Sequence, residues 1–333
     1  MNKILLCLLT CCFFIVLSAE NTVIKSPDQN LRVNVFLKNG TVFYRVNYKN
    51  KSILEDLPPG MITNVSDFGK ALTFVETTEN EIKETYVEKK IKKSKVDYHA
   101  NEVICTYATP KKEKISIVFR VSNHDIALKY SLAQNGETAR CIVEKELTGF
   151  RFPSFTTTFL SPQAAPMIGW MRTKPSYEEE YIPDEPIGMV SRYGVGYTFP
   201  CLFHVGDHGW ALVTETGVGS LYCGSKLSEA SKDGLYTIAF PEEGENNGIG
   251  SAQPGISLPG ETPWRTITIG DNLKPIVETT ITSDVVKPLY EPSKEYSFGR
   301  STLSWIMWQD SSINYEDQQA YHDLSAAVGY DFV

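Results

Sequence analysis

From about residue 22 to residue 287 the chain repeats one pattern: short runs in which apolar and polar residues alternate, each closed by a turn signal. LRVNVFLKNG (31–40), TVFYRVNYKN (41–50), KISIVFRVSN (114–123) and DIALKYSLAQNG (125–136) are examples. A period of two places alternate side chains on opposite faces of a strand, and Asn-Gly or Lys-Asn at the end of a run supplies the backbone conformations a hairpin needs. More than a dozen such runs in succession predict an all-β domain, and that number of strands favours a large sandwich over a small barrel. The Lys-rich EKKIKKSK (88–95) interrupts the pattern and reads as the solvated face of a hairpin.

Between residues 152 and 200 the alternation fades and Pro, Trp and acids accumulate, as in FLSPQAAPMIGWMRTKPSYEEEYIPDEPIGM. Long loops on a rigid β scaffold are where binding groups tend to sit. The pattern changes again at PLYEPSKEYSF (288–298), which sets a domain boundary at 291/292. Beyond it an apolar strand is predicted over 303–308, then a helix over 314–328. Acids Glu316 and Asp317 mark the first turn of that helix, Tyr321, Leu324 and Val328 its apolar stripe, and Gly329 its end. Tyr330 to Val333 then open a second strand. Strand, helix and half-strand make the first unit of a (β/α)8 barrel, a fold that needs at least about 200 residues. With 33 residues after Arg300, the sequence is expected to be a truncated piece of a longer enzyme.

The N-terminus, MNKILLCLLTCCFFIVLSAE, has one Lys, an apolar stretch from Ile4 to Leu17 and the small residues Ser18 and Ala19. That order is a secretory signal, expected to be cleaved after Ala19; a membrane anchor is the alternative, but the run is short for one. The expected location is therefore periplasmic or secreted, with no membrane attachment after cleavage. Cys105, Cys141, Cys201 and Cys223 remain, without CxxC spacing. They read as buried small residues, with a disulfide among them left open. The net charge of −8 becomes −9 once Lys3 is removed, which argues against nucleic acid and anionic membranes as partners.

Motifs for zinc proteases, serine hydrolases and phosphate loops are missing, and no pair of carboxylates can be assigned as acid and base. The acid-rich loop PSYEEEYIPDEP gathers Glu178, Glu179, Glu180, Asp184 and Glu185 within eight residues. Hard cations such as calcium want several convergent oxygens of this kind, although a solvated acidic loop has the same composition. A second cluster, Glu242, Glu243, Glu245, Asn246 and Asn247, has groups for sugar hydroxyls or for an ordinary mobile loop. Among five Trp residues, Trp305 and Trp308 are the substrate-binding candidates, since barrel sites form at the C-terminal ends of strands.

SPDQNLRVNVFLKNGTVFYRVNYKNKSIL, HGWALVTETGV, TPWRTITIGDNL and above all SWIMWQDSSINYEDQQAYHDLSAAVGYDFV resemble glycoside hydrolase family 97 over nearly all of the mature chain. The resemblance implies a mainly β fold: a large N-terminal β-sandwich (supersandwich), residues 20–291, followed over 292–333 by the first strand-helix unit of an incomplete (β/α)8 barrel. It also implies a calcium-dependent, exo-acting α-glucosidase or α-galactosidase that takes an oligosaccharide with a terminal α-linked glucose or galactose. The family's sandwich lends one loop Glu to the calcium, a role carried onto Glu178, with Glu179 and Glu180 as alternatives. The family's catalytic carboxylates belong to the barrel, so none is assigned in this chain, and the fragment itself is expected to be inactive. The alternative from another class is a carbohydrate-binding sandwich that works without a barrel.

Overall fold

The computed structural model describes residues 21–333 apart from 89–90, 92, 165–179, 246–251, 291–292 and 296. The expected signal peptide, and with it residues 1–19, lies outside the described residues. The chain divides into two compact units, one ending at Lys287 and the other Pro288–Val333. No helix among the described residues is long and apolar enough to cross a membrane.

The first unit is built from antiparallel strands. β1 (Asn21–Lys25), β2 (Leu31–Lys38), β3 (Thr41–Tyr48) and β4 (Lys51–Leu57) form a four-stranded meander. Its two tight turns have the predicted chemistry: Asn39 and Gly40 have φ of 51° and 75°, Lys49 and Asn50 48° and 64°. Positive φ at both central residues matches the twist of the flanking strands. Two small sheets join β5 (Met61–Thr63), β10 (Arg140–Glu146) and β18 (Gly255–Ser257), and β11 (Gly149–Arg151), β16 (Lys226–Leu227) and β17 (Leu235–Ala239).

The largest sheet has ten strands. Its path runs β13 (Glu185–Pro186), β12 (Thr157–Phe159), β14 (Cys201–His204), β15 (Trp210–Thr216), β20 (Trp264–Gly270), β9 (Asp125–Leu132), β8 (Lys114–Val121), β7 (Lys95–Ala108) and β6 (Thr73–Val87), with β19 (Gly260–Glu261) on β9. The Lys-rich segment joins the long strands β6 and β7; Ile91 and Lys93 to Lys95 are exposed, as expected of a hairpin face, and Glu88 is half-buried.

One core joins the inner faces: Leu31, Val33 and Val35 from β2 meet Phe119 and Leu128 from the large sheet. β20 is buried at every position because both of its faces are covered. Ile267 and Ile269 point into the core. On the other face, Trp264 packs with Ile281 of a short helix, α2 (Ile281–Val285), which follows α1 (Lys274–Glu278). The parity that turns Ile267 and Ile269 inward also turns Arg265 inward. Its guanidinium donates from Nε and Nη2 to the two oxygens of Glu146 (2.8 and 2.6 Å), and from Nη1 to Ser225 Oγ (3.0 Å) and Glu215. Tyr222 (3.0 Å) and Thr148 (2.8 Å) donate to the same Glu146 carboxylate. A buried ion cluster thus ties β10 to β15 and β20. Burial opposes the charge on Arg265, but the attraction of Glu146 and Glu215 outweighs it and holds the guanidinium protonated above its usual range.

All four described cysteines are free thiols, so no disulfide forms among them. Cys105, Cys141 and Cys201 are buried as small core residues; burial pushes the thiol of Cys141 up and that of Cys201 well up.

In the second unit the predicted helix forms as α4 (Tyr315–Val328). Asn314 caps it by accepting from Asp317 N (2.9 Å), and Gly329, at φ 67°, ends it with Tyr330 N donating to Ser325 O (2.8 Å). The predicted strand over 303–308 does not form. Trp305–Trp308 is instead a helical turn, α3, in which Met307 N and Trp308 N both donate to Ser304 O (3.1 Å). A ladder needs a partner strand, and among the described residues none lies alongside, so the backbone takes its hydrogen bonds locally. The strand pairing shrinks to one parallel bridge, Ser301 with Phe332, which flanks α4 and keeps the strand-helix-strand order of a barrel unit.

Candidate functional site

The acidic loop leaves and rejoins the first unit at one edge of the ten-stranded sheet. Glu178 and Glu179, like Trp170, lie outside the described residues; Glu180 is described and exposed. The loop returns at β13, where Thr157 pairs with Pro186 and Thr158 with Glu185. Just before it, Asp184 accepts from Thr157 Oγ1 (2.9 Å) and lies 3.9 Å from His204 Nδ1.

His204 and Trp210 are direct cross-strand partners on β14 and β15, and their rings stack with centroids 4.1 Å apart and planes at 12°. Phe159 leans on Trp210 at 5.7 Å. Because strand parity is two, Thr157, Phe159, Leu202, His204 and Trp210 share one face, and all are half-buried. A carboxylate, an imidazole and an indole therefore sit side by side where the loop is anchored. Such a set can hydrogen-bond hydroxyls and meet an apolar ring face, the combination that a sugar needs.

The rest of the loop is held by polar contacts. The Glu229 carboxylate accepts from Ser191 N (3.0 Å), Ser191 Oγ and Gly196 N (2.8 Å), and Ser191 Oγ accepts from Gly194 N (3.1 Å). Gly188 N donates to Tyr236 Oη (3.0 Å), and Tyr197 Oη donates to Met189 O (2.9 Å). Burial pushes both phenols up, so each remains protonated at neutral pH.

The other residues singled out in the sequence have contacts of their own. Glu242 and Glu245 hold Lys226, whose ammonium is buried, at 2.9 and 3.5 Å, and Glu243 is exposed, while Asn246 and Asn247 lie outside the described residues. Trp305 and Trp308 sit on α3, not at a strand end as expected. Trp305 Nε1 donates to Asp310 (2.8 Å), and Trp308 meets Tyr321 edge-on at 4.8 Å.

Among the described residues no group of three or more His, Cys, Asp or Glu is arranged to hold a metal ion. Glu180 is the one described member of the triple Glu, and Asp184 is engaged by Thr157, so the described residues do not by themselves make a calcium site.

Sequence reasoning missed His204 and Glu229 and passed over Trp210 in favour of Trp305 and Trp308. His204 and Trp210 meet only through strand pairing, and Glu229 is a single acid in a turn. Arg265 did carry a signal: in TPWRTITIG it has the inward parity of two isoleucines.

The family model for the N-terminal domain of glycosyl hydrolase 97 matches residues 24–288. Among solved structures, a beta-arabinopyranosidase is 53% identical over 94% of this chain and 50% of its own, with a TM-score of 0.89. A glycoside hydrolase family 97 enzyme from Pseudoalteromonas sp. strain K8, solved in complex with panose, is 19% identical over 93% of this chain and 46% of its own, with a TM-score of 0.72. The same enzyme in complex with acarbose is 17% identical, with a TM-score of 0.70 and the same coverage. No curated protein matches the chain. The chain thus spans about half the length of the solved structures it matches. Sandwich topology, family match and a 53% identical glycosidase agree, and the chain belongs to glycoside hydrolase family 97, with residues 24–288 matching the family's N-terminal domain.

Proposed function

We propose that this chain supplies the β-sandwich part of an exported exo-glycosidase that removes a terminal galacto-configured pyranose from an oligosaccharide. The observation that carries this reading is the 53% identity to a beta-arabinopyranosidase over 94% of the chain. A β-L-arabinopyranosyl unit has the ring configuration of an α-D-galactopyranosyl unit without its C6 hydroxymethyl group. An α-galactosidase and a β-arabinopyranosidase therefore ask for the same C1 to C4 stereochemistry, whereas an α-glucoside differs at C4. Of the two sugars the sequence left open, galactose is the one this relative supports.

In this reading the acidic loop brings Glu178, or its neighbour Glu179 or Glu180, to a calcium ion completed by barrel carboxylates. Calcium supplies positive charge beside the leaving-group oxygen. The chain's own part is to hold: the pairing of Thr157 and Thr158 with β13, and the clasp at Glu229, fix where the loop leaves the sheet. Trp305 and Trp308 remain proposed sugar contacts, presented from a helical turn. The acid and the base or nucleophile come from the barrel, at carboxyl separations of about 5 to 9.5 Å.

The test is kcat/KM of the complete enzyme on the p-nitrophenyl glycosides of β-L-arabinopyranose, α-D-galactose and α-D-glucose. A polar site matched to one C4 hydroxyl is expected to favour the first two over the glucoside by at least about a hundredfold. The present chain alone is expected to release no nitrophenol. A glucoside turned over fastest refutes the stereochemical assignment, and no turnover of any of the three refutes the enzyme reading in favour of a binding sandwich.

A further inference from the structure

We infer that Glu229 is a positioning residue for the acidic loop, acting through the backbone of residues 191–196; the inference rests on the proposed place of that loop at the catalytic centre. Within residues 180–190 only Ile187 packs against the core. Tyr181, Ile182, Met189 and Val190 are 49 to 73% exposed, so burial does little more to fix the path of this segment, which is tied at β13 and at Tyr236 and Tyr197. Residues 191–196, which follow, are gathered by a carboxylate from the turn between β16 and β17. Gly194 and Gly196 take φ of 69° and 91°, and the segment folds back so that Ser191 N and Gly196 N both reach the same carboxylate.

That carboxylate is Glu229, which accepts from Ser191 N, Ser191 Oγ and Gly196 N. Ser191 is buried even though its loop lies at the surface. The fit leaves no slack at Gly196, where an added Cβ would meet Leu227 O at 2.2 Å. Three donors converging on one acceptor make the clasp cooperative, so its loss frees residues 191–196, while Gly188 and Met189 keep their bonds to Tyr236 and Tyr197. Glu229 would thereby set the direction of the loop without touching substrate.

The variants are Glu229→Gln, which keeps the volume but turns an amide N–H toward backbone donors, and Glu229→Asp, which keeps the charge. Hydrogen exchange on the full chain is expected to quicken at Ser191 and Gly196 by about a hundredfold in E229Q, with the β2 and β3 amides unchanged. In the complete enzyme, E229Q is expected to need at least about tenfold more calcium for half-maximal turnover, with kcat at saturating calcium near wild type and partial rescue in E229D. A globally destabilised protein would instead quicken β2 and β3 as well, and that result overturns the inference. So does faster exchange at the clasp with an unchanged calcium requirement and KM. If wild-type turnover survives chelation, the calcium reading fails separately. The clasp is then judged on KM, expected to rise about tenfold in E229Q, and an unchanged KM overturns it.

Discussion

Replacing Arg265 by Met removes the cation from the centre of the sandwich and strands two carboxylates. The Arg265 and Glu146 side chains are 1% and 0% exposed and that of Glu215 is 13% exposed, so water cannot take over the lost partner at Glu146. Thr148 and Tyr222 still donate to Glu146, but neither neutralises it. Breaking one side of a buried pair of this kind costs about 3–5 kcal/mol. For a unit this large, each kcal/mol moves the melting temperature by roughly 2–4 °C, so a drop of roughly 10 °C is expected. Urea unfolding followed by circular dichroism measures the loss on the present chain. The decisive comparison is the double variant Arg265→Met with Glu146→Met, in which both buried charges become apolar. It is expected to recover at least about 2 kcal/mol relative to the sum of the single variants. A loss below about 1 kcal/mol in R265M, or strict additivity in the double variant, would refute the reasoning that the cluster is held by charge compensation.

Asp284 on α2 is buried and accepts from Tyr86 Oη (2.7 Å) and Thr280 Oγ1 (2.8 Å). Burial, with the charge of nearby Asp125 in addition, pushes its carboxyl up from 3.8 to about 6 despite those donors. A raised acid binds its proton more tightly when folded, so the contribution of Asp284 to stability falls as pH rises from about 4 to about 6 and is level above that, by ~3 kcal/mol in all. Unfolding midpoints of wild type and Asp284→Asn across that range check it: the variant is expected to lack this fall, and parallel curves contradict the assignment. Gly196→Ala places a Cβ against Leu227 O at a φ of 91° and is expected to lose about 2 kcal/mol or more, with faster exchange confined to residues 188–197.

What was legible in the sequence is what local chemistry decides. Asn39-Gly40 and Asn50 declared their hairpins because Gly and Asn take positive φ at little cost, a property of the residues themselves. Asn314 and Gly329 likewise bracketed α4. Strand order was not legible: β15 pairs with β20 across a long intervening stretch, and no periodicity encodes which run lies beside which. The same blindness hid the stacking of His204 on Trp210, which exists only in that register. The run over 303–308 was misread because a short apolar stretch is equally compatible with strand and helical turn until its neighbours are known. Composition did find the acidic loop, since carboxylates crowded between prolines need no register to be noticed. Its clasp at Glu229 is one acid in a polar turn and carries no such signal.

Whether the loop at the sheet edge belongs to the catalytic centre is tested most directly by a calcium titration of the complete enzyme after chelation, on p-nitrophenyl β-L-arabinopyranoside. Wild type is compared with Glu178→Gln, and Glu179→Gln and Glu180→Gln run alongside to fix the register. Activity lost on chelation and restored by calcium, with one of the three variants needing at least about tenfold more of it, is the predicted result. Turnover that survives chelation, or the same titration curve for wild type and all three variants, would contradict it.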